Sequence, residues 1–240
     1  MRLGCGNISI PGTGSQVYSP LVLGSRLNFW FRPDLGVNLI GGAVGGWTDQ
    51  GFHSRNVTQG VIANRPGLVA SDPAYGGVST LSFDGNDFLD SAVFGAPLPQ
   101  PSTIVCVGNT VDDVDFYSFL DATTAGDRNV LQSAAGALGT RVFAGVILTA
   151  PVLLSSPSVM MVEFDGINSS LRVNRFSSTD VVGDAGGQSL PSLRIGLDIG
   201  VSGLVGSIAE VIGVDGILSA DERVALLQYA SARTHIVMAP

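Results

Sequence analysis

The sequence predicts an all-β domain, a sandwich or barrel, closed by one C-terminal helix. Three observations lead there. Thirty-two of the 240 residues are glycine, about 13%, nearly twice the ordinary share, and they follow no triplet period. Short runs of alternating or wholly apolar residues recur between Gly, Pro and Asp clusters. Only the last 25 residues carry a helical pattern, so no helices alternate with the strands as a parallel sheet would need.

Residues 1–25 are rich in Gly, Ser and Pro and read as an extended arm ahead of a single domain spanning 26–240. Leu27–Arg32 opens the strands, with Leu27, Phe29 and Phe31 on one face. Val78–Phe83 alternates likewise and runs into the turn pair Asp84-Gly85. Ile104–Val107 is wholly apolar and is expected as a central strand. Phe116–Leu120, Asn129–Leu131, Arg141–Ile147 and Val159–Phe164 follow, and Asp165–Ser170 joins the last of these to Leu171–Val173 as a hairpin. Leu193–Leu197 and Ile208–Val214 end the series. Ser219-Ala220-Asp221-Glu222 is a capping box, with serine and glutamate placed to satisfy each other's backbone amides. The residues after it are good helix formers, and Val224, Leu227 and Ala230 share a face. Gly41-Gly-Ala-Val-Gly-Gly lacks the Lys-Ser/Thr of a phosphate loop and is expected as a hairpin turn.

Twenty acids, 17 of them Asp, face twelve bases, all Arg, for a net charge of −8. Such a chain gains little at phosphates, so nucleic acid and anionic membrane surfaces are not expected partners. No apolar run is long enough to span a bilayer. Met-Arg-Leu-Gly-Cys5-Gly ends like a lipoprotein box, but no apolar stretch stands before the cysteine, so a signal peptide or lipid anchor is not expected. Cys106, within Thr-Ile-Val-Cys-Val, reads as a small buried hydrophobe.

The stretch Leu27-Asn-Phe-Trp30-Phe-Arg-Pro-Asp34, then Gly41–Gln50 around Trp47, resembles the concanavalin A-like lectin/glucanase superfamily, in its laminin G-like form. Arg65-Pro66-Gly-Leu-Val69, Leu81–Leu89, Gly206–Ile212 and Ile217–Arg223 continue the pattern, which covers roughly 27–236. The resemblance implies a two-sheet antiparallel jelly-roll sandwich. Domains of this kind occur as glycan-binding modules, adhesion modules and phage virion components, so the fold alone does not fix the activity.

Glucanases of the superfamily carry Glu-x-Asp-x-x-Glu. The nearest match is Glu163-Phe-Asp165-Gly-Ile-Asn168, whose final amide cannot protonate a leaving group. The expectation is therefore a non-catalytic lectin-like binding or structural module. Within that, a phage virion component is favoured, a head fibre, decoration or tail-associated protein reaching host-surface glycans, because the arm suits docking, no export signal is evident and the domain type resembles those in virions. The alternatives are a glucanase-like glycan-processing enzyme and a cellular adhesin outside the cell or on its surface. The arm is expected to dock on another virion subunit or a second copy in a homo-oligomer. No cofactor is required. Calcium is open, because Asp84, Asn86 and Asp87 offer hard oxygen ligands without EF-hand spacing. For a ligand, Tyr75 in its Pro-Ala-Tyr-Gly-Gly loop is the expected exposed aromatic, and Asp112, Asp113 and Asp115 are the accompanying polar groups. Trp30 and Trp47 are expected in the core.

Overall fold

The computed structural model describes residues 18–136, 138–200 and 202–240. The strands run β1 (Leu27–Phe31), β2 (Val37–Ile40), β3 (Ala43–Trp47), β4 (Val57–Thr58), β5 (Gly67–Asp72) and β6 (Val78–Asp84). Next come β7 (Leu89–Ser91), β8 (Ser102–Thr110), β9 (Ser118–Asp121), β10 (Val130–Ala134), β11 (Gly139–Phe143) and β12 (Ile147–Ala150). The series ends with β13 (Ser158–Phe164), β14 (Ser169–Val173), β15 (Val181–Gly183), β16 (Arg194–Ile195) and β17 (Val205–Asp215), ahead of helix α1 (Ala220–Thr234).

These strands form two antiparallel sheets. The first has the order β15-β14-β13-β8-β17-β6-β5, and the second β12-β11-β10-β9-β16-β7-β4-β3-β2. In the first, β17 pairs with β8 along one edge. Its other edge is shared, by β6 at Val205–Ile208 and by β1 at Val211–Val214.

The first sheet is buried on both faces, and its sequence shows why. Along β8, Ile104 and Cys106 enter the core between the sheets, while Val105 and Val107 face the layer under α1. β13 does the same, with Met160, Val162 and Phe164 inward and Val159 and Met161 toward α1. A wholly apolar run is what a strand covered on both sides requires. Phe29, Phe31, Trp47, Leu81, Phe119 and Phe164 fill the space between the sheets. Gly213 lies against Phe29, where a Cβ would fall 2.2 Å from the ring. β1 departs from the expected single apolar face. Its register shifts between Leu27 and Phe29, so Leu27 joins Trp30 beneath α1 while Phe29 and Phe31 enter the main core.

The capping box forms as expected. Ser219 Oγ accepts from Glu222 N at 3.3 Å, and Glu222 Oε2 accepts from Ser219 N at 2.9 Å. α1 buries Leu226, Leu227 and Ala230; Val224 is only half-buried. Gly41 and Gly42 make the β2–β3 turn with φ of 69° and 88°, a region only glycine enters freely. Arg141–Ile147 is two strands rather than one, because Ala144-Gly145-Val146 turns the chain, with Gly145 at φ 114°.

Most of the expected arm, residues 1–17 with Cys5, lies outside the described residues. Residues 18–25 are seated on the sandwich. Ser19 caps a short 3-10 turn, Leu23 is buried, and the Tyr18 ring lies 6.5 Å from that of Tyr229 on α1. Leu21 and Val22 remain exposed.

Candidate functional site

Tyr75, expected as an exposed loop aromatic, is buried, and this corrects the sequence reading. The loop Pro73–Tyr75 is a 3-10 turn capped by Asp72, and it presses the ring into the layer under α1. The Tyr75 hydroxyl donates to Asn109 Oδ1 at 2.8 Å. Asp112 and Asp113 are occupied by the fold. Asp112 Oδ1 accepts from Val114 N (2.9 Å) and the Tyr117 hydroxyl (3.0 Å), and Asp113 Oδ1 accepts from Leu154 N (2.8 Å) and Ser155 N (3.1 Å). Asp115 is exposed, and its backbone carbonyl accepts from Ser133 Oγ.

Asp84, Asn86 and Asp87 form a turn. Asp84 Oδ1 accepts from Asn86 N at 2.9 Å, and Asp87 Oδ2 accepts from Asp84 N at 3.2 Å. Burial, with the nearby Asp84 charge, pushes the Asp87 carboxyl up to about 6. Among the described residues no three His, Cys, Asp or Glu side chains are grouped to hold a metal ion.

Glu163 does not stand on an open face. It projects from β13 toward α1, where Oε2 accepts from Arg172 Nη1 (2.7 Å) and Ser170 Oγ (2.8 Å), and Oε1 accepts from Arg223 Nε (3.1 Å). Burial would raise its carboxyl, but the Arg172 hydrogen bond and charge, Ser170 and Arg223 outweigh it and hold the carboxyl below its ordinary value. Asp165 and Asn168 close the turn after β13, with Asn168 N donating to Asp165 O at 2.9 Å. Glu210 on β17 is fully buried. Trp30 Nε1 (2.6 Å) and the Tyr229 hydroxyl (2.7 Å) donate to its Oε1, and Arg233 Nη1 (3.2 Å) donates to its Oε2. These two acids fasten α1 to the first sheet.

The second sheet carries the polar face that the sequence reading missed. Its inner side joins the core, and α1 packs on the other sheet. Across its outer side, Cα pairing sets Asp121, Arg194, Asp90, Thr58, Gly46 and Asn38 in one row. A second row runs through Thr149, Arg141, Gln132 and Ser118. Arg194 grips Asp90 through two 2.7 Å hydrogen bonds, which hold its guanidinium above its ordinary value. Asp121 is fully buried and accepts from Ala122 N (2.7 Å), Ile199 N (3.0 Å) and the Nε and Nη2 of Arg128. Asp198 Oδ2 lies 4.0 Å from Arg128. Arg141 meets Gln132, whose amide oxygen, turned toward it, accepts at 2.7 and 3.1 Å.

Each arginine here also has a ring beneath it. Arg141 lies 4.1 Å from the centroid of Phe116, Arg194 lies 4.8 Å from Phe88, and Arg128 lies 5.7 Å from Phe143. Planar donors, carboxylate acceptors and partly exposed rings therefore share one face, part of which Arg128 and the turn at 198–199 cover, so that Asp121, Ser118 and Gln132 are buried. The only local signal was a charged residue between apolar neighbours, as in Leu120-Asp121-Ala122 and Leu193-Arg194-Ile195. That pattern reads as an outward side chain on a strand and says nothing of its partners.

No family model matches the chain, and no curated protein matches it. Solved structures do match in fold. An arabinofuranosidase complexed with arabinofuranosyl-alpha-1,2-xylobiose superposes with a TM-score of 0.62 at 13% identity, over 82% of this chain and 52% of that one. The Trypanosoma rangeli sialidase gives 0.58 at 14%, over 95% of this chain and 35% of that one. Domain 4 of AbnA, a GH43 extracellular arabinanase from Geobacillus stearothermophilus, in complex with arabinotriose, gives 0.59 at 13%, over 85% of this chain and 98% of that domain. This chain thus spans about half of the arabinofuranosidase and a third of the sialidase, but nearly the whole of the arabinanase domain. At these identities the likeness shows the fold, a β-sandwich shared with glycoside hydrolases. It corrects the expectation of no enzyme activity. That expectation rested on one glucanase motif, Glu163, Asp165 and Asn168, while the matched hydrolases are an arabinofuranosidase, sialidases and an arabinanase, so an incomplete glucanase set does not exclude catalysis.

Proposed function

We propose that this chain is a carbohydrate-recognising β-sandwich of glycan processing, and that saccharide lies along the outer face of the second sheet. The observation that carries the reading is that face itself, with its alternating Asp and Arg side chains over Phe88, Phe116 and Phe143. Sugar hydroxyls pair as donor and acceptor with planar groups held in fixed orientation, and sugar C–H faces cover ring and guanidinium planes. Asp90 and Arg194 orient each other, and Asp121 fixes Arg128. The surface is thus set before a ligand arrives, which lowers the ordering cost of binding. The fold shared with an arabinanase domain in complex with arabinotriose supports the ligand class. A place on a virion, with the segment before residue 18 as the docking arm, is the finer form of this proposal, supported by the Gly- and Ser-rich composition of that segment.

Calorimetric titration of the intact chain with arabinotriose, xylobiose and a wider oligosaccharide panel tests the reading, with reducing ends measured in the same samples. Binding or cleavage should fall at least tenfold in Arg141→Ala and in Asp90→Ala. A panel on which nothing binds or is cleaved would overturn the proposal. So would binding indifferent to both substitutions.

A further inference from the structure

A cavity of about 340 Å3 opens where residues 53–56 meet residues 91–96, beside β4 and β7. Its wall includes His53, Ser54, Arg55, Asn56, Ser91 and Phe94, and no carboxylate. The loop that carries Arg55 is firmly built. Asp49, itself buried, accepts the backbone N–H groups of Trp30 (2.8 Å), Gly51 (2.7 Å) and Arg55 (2.9 Å), and Asn56 Oδ1 accepts from Asp49 N. Ser54 is held at φ 54°, a left-handed conformation that a non-glycine residue adopts only when its surroundings enforce it.

Arg55 has an unusual position in this chain. Most described arginines lie within 4.0 Å of a carboxylate. Arg55 has no such partner among the described residues. Its guanidinium lies 3.7 Å from the Phe94 ring centroid, and Nη2 donates to Ala96 O at 3.1 Å. Its Nη1 is buried with no hydrogen-bond partner among the described residues. Burial pushes the guanidinium down to about 10, and the pull of Asp49 and Asp215 only partly offsets it. The near carboxylate, Asp49, already accepts backbone N–H groups. A half-desolvated cation with no carboxylate in direct contact is costly, and an anion placed beside it recovers that cost. In a protein of net charge −8, this cavity is a local exception in sign.

We propose that the cavity is a subsite for the carboxylate of an acidic sugar residue, with Arg55 as its counter-charge. The assignment rests on the carbohydrate reading above. The volume lies at the small end of ligand pockets, roughly 300–1,000 Å3, and suits one sugar ring. Ser54 and Asn56 supply hydrogen-bonding groups for ring hydroxyls, and Ala92 and Phe94 supply apolar wall.

The test compares glucuronate, glucose and inorganic sulfate on the intact protein by titration calorimetry, in wild type, Arg55→Gln and Arg141→Ala. Glucuronate is expected to bind at least tenfold tighter than glucose, to lose that advantage in Arg55→Gln and to keep it in Arg141→Ala. Equal binding of glucuronate and glucose overturns the inference, as does an advantage that survives Arg55→Gln. Neutral oligosaccharides that still depend on Arg141 would then leave the carbohydrate reading standing. Sulfate bound as tightly as glucuronate, through Arg55, overturns the sugar-acid assignment. Should Arg55→Gln fail to fold, glucuronate added to wild type should move the Arg55 Nε–H and His53 ring resonances, and unmoved resonances overturn the inference equally.

Discussion

Replacing Glu163 with glutamine takes one negative charge from between two arginines while leaving the side-chain shape unchanged. Glu163 is 6% exposed and Arg172 is also 6% exposed, so little water reaches either. Removing one partner of a buried ion pair costs roughly 3–5 kcal/mol. The amide oxygen of the substituted side chain can keep one neutral hydrogen bond, which leaves a loss of about 2–3 kcal/mol. For a chain of this size that lowers Tm by roughly 4–12 °C. Thermal and urea unfolding at neutral pH measure it. The pH dependence follows from the lowered carboxyl. The stabilisation is complete above the unfolded value, is lost as pH falls through the lower folded value, and so the gap between wild type and variant closes only in acid. Because Glu163 lies under α1, whatever saccharide binding or hydrolysis the chain has should survive the substitution at temperatures where the variant is folded. An unchanged Tm together with abolished hydrolysis would refute this reasoning and return Glu163 to a catalytic role.

Three further outcomes are expected. Ser219→Ala removes the N-cap of α1 and should cost about 1 kcal/mol in urea unfolding, with the layer under the helix loosened first in hydrogen exchange. Gly213→Ala places a methyl group inside the Phe29 ring contact and should cost at least about 1–3 kcal/mol by overpacking, visible as a changed near-ultraviolet circular dichroism. The raised Asp87 carboxyl means that the folded state holds a proton the unfolded chain has released between about pH 4 and 6, so stability falls as pH rises through that interval. Asp87→Asn should flatten that fall, and an unaltered profile would assign it to another group.

The strands that were legible in sequence are those whose burial is uniform. Ile104–Val107 and Val159–Val162 have apolar residues on both sides because the core lies below and α1 above, and a continuous apolar run states this directly. The helix start was legible because a capping box is wholly local. Tyr75 was misread because a Pro-Ala-Tyr-Gly-Gly turn looks like surface; the ring is buried in a layer whose members, Val107, Ala209 and Leu227 among them, come from distant parts of the chain. The polar face was illegible for a related reason. Asp90, Asp121 and Arg194 become neighbours only through strand register, and a charged residue on an outward strand position looks the same whether it meets water or a partner. Arg55 left even less trace, since its missing counter-charge is a property of space around it.

The position of β17 bears on how the protein is made. β1 leaves the ribosome early, yet its pairing partner β17 begins only at Val205. At ~5–20 residues per second, β1 waits on the order of ten to thirty seconds for that partner. Until then β8 and β6 present open edges across an empty slot, the kind of surface that recruits other chains. A nascent chain stalled or cut before residue 205 would hold all the second sheet's strands and seven of the first sheet's eight, with β1, β5 and β6 left unjoined to β8, β13, β14 and β15. Chaperone dependence during synthesis should therefore be concentrated in this interval and should end once the chain from Val205 onward is released.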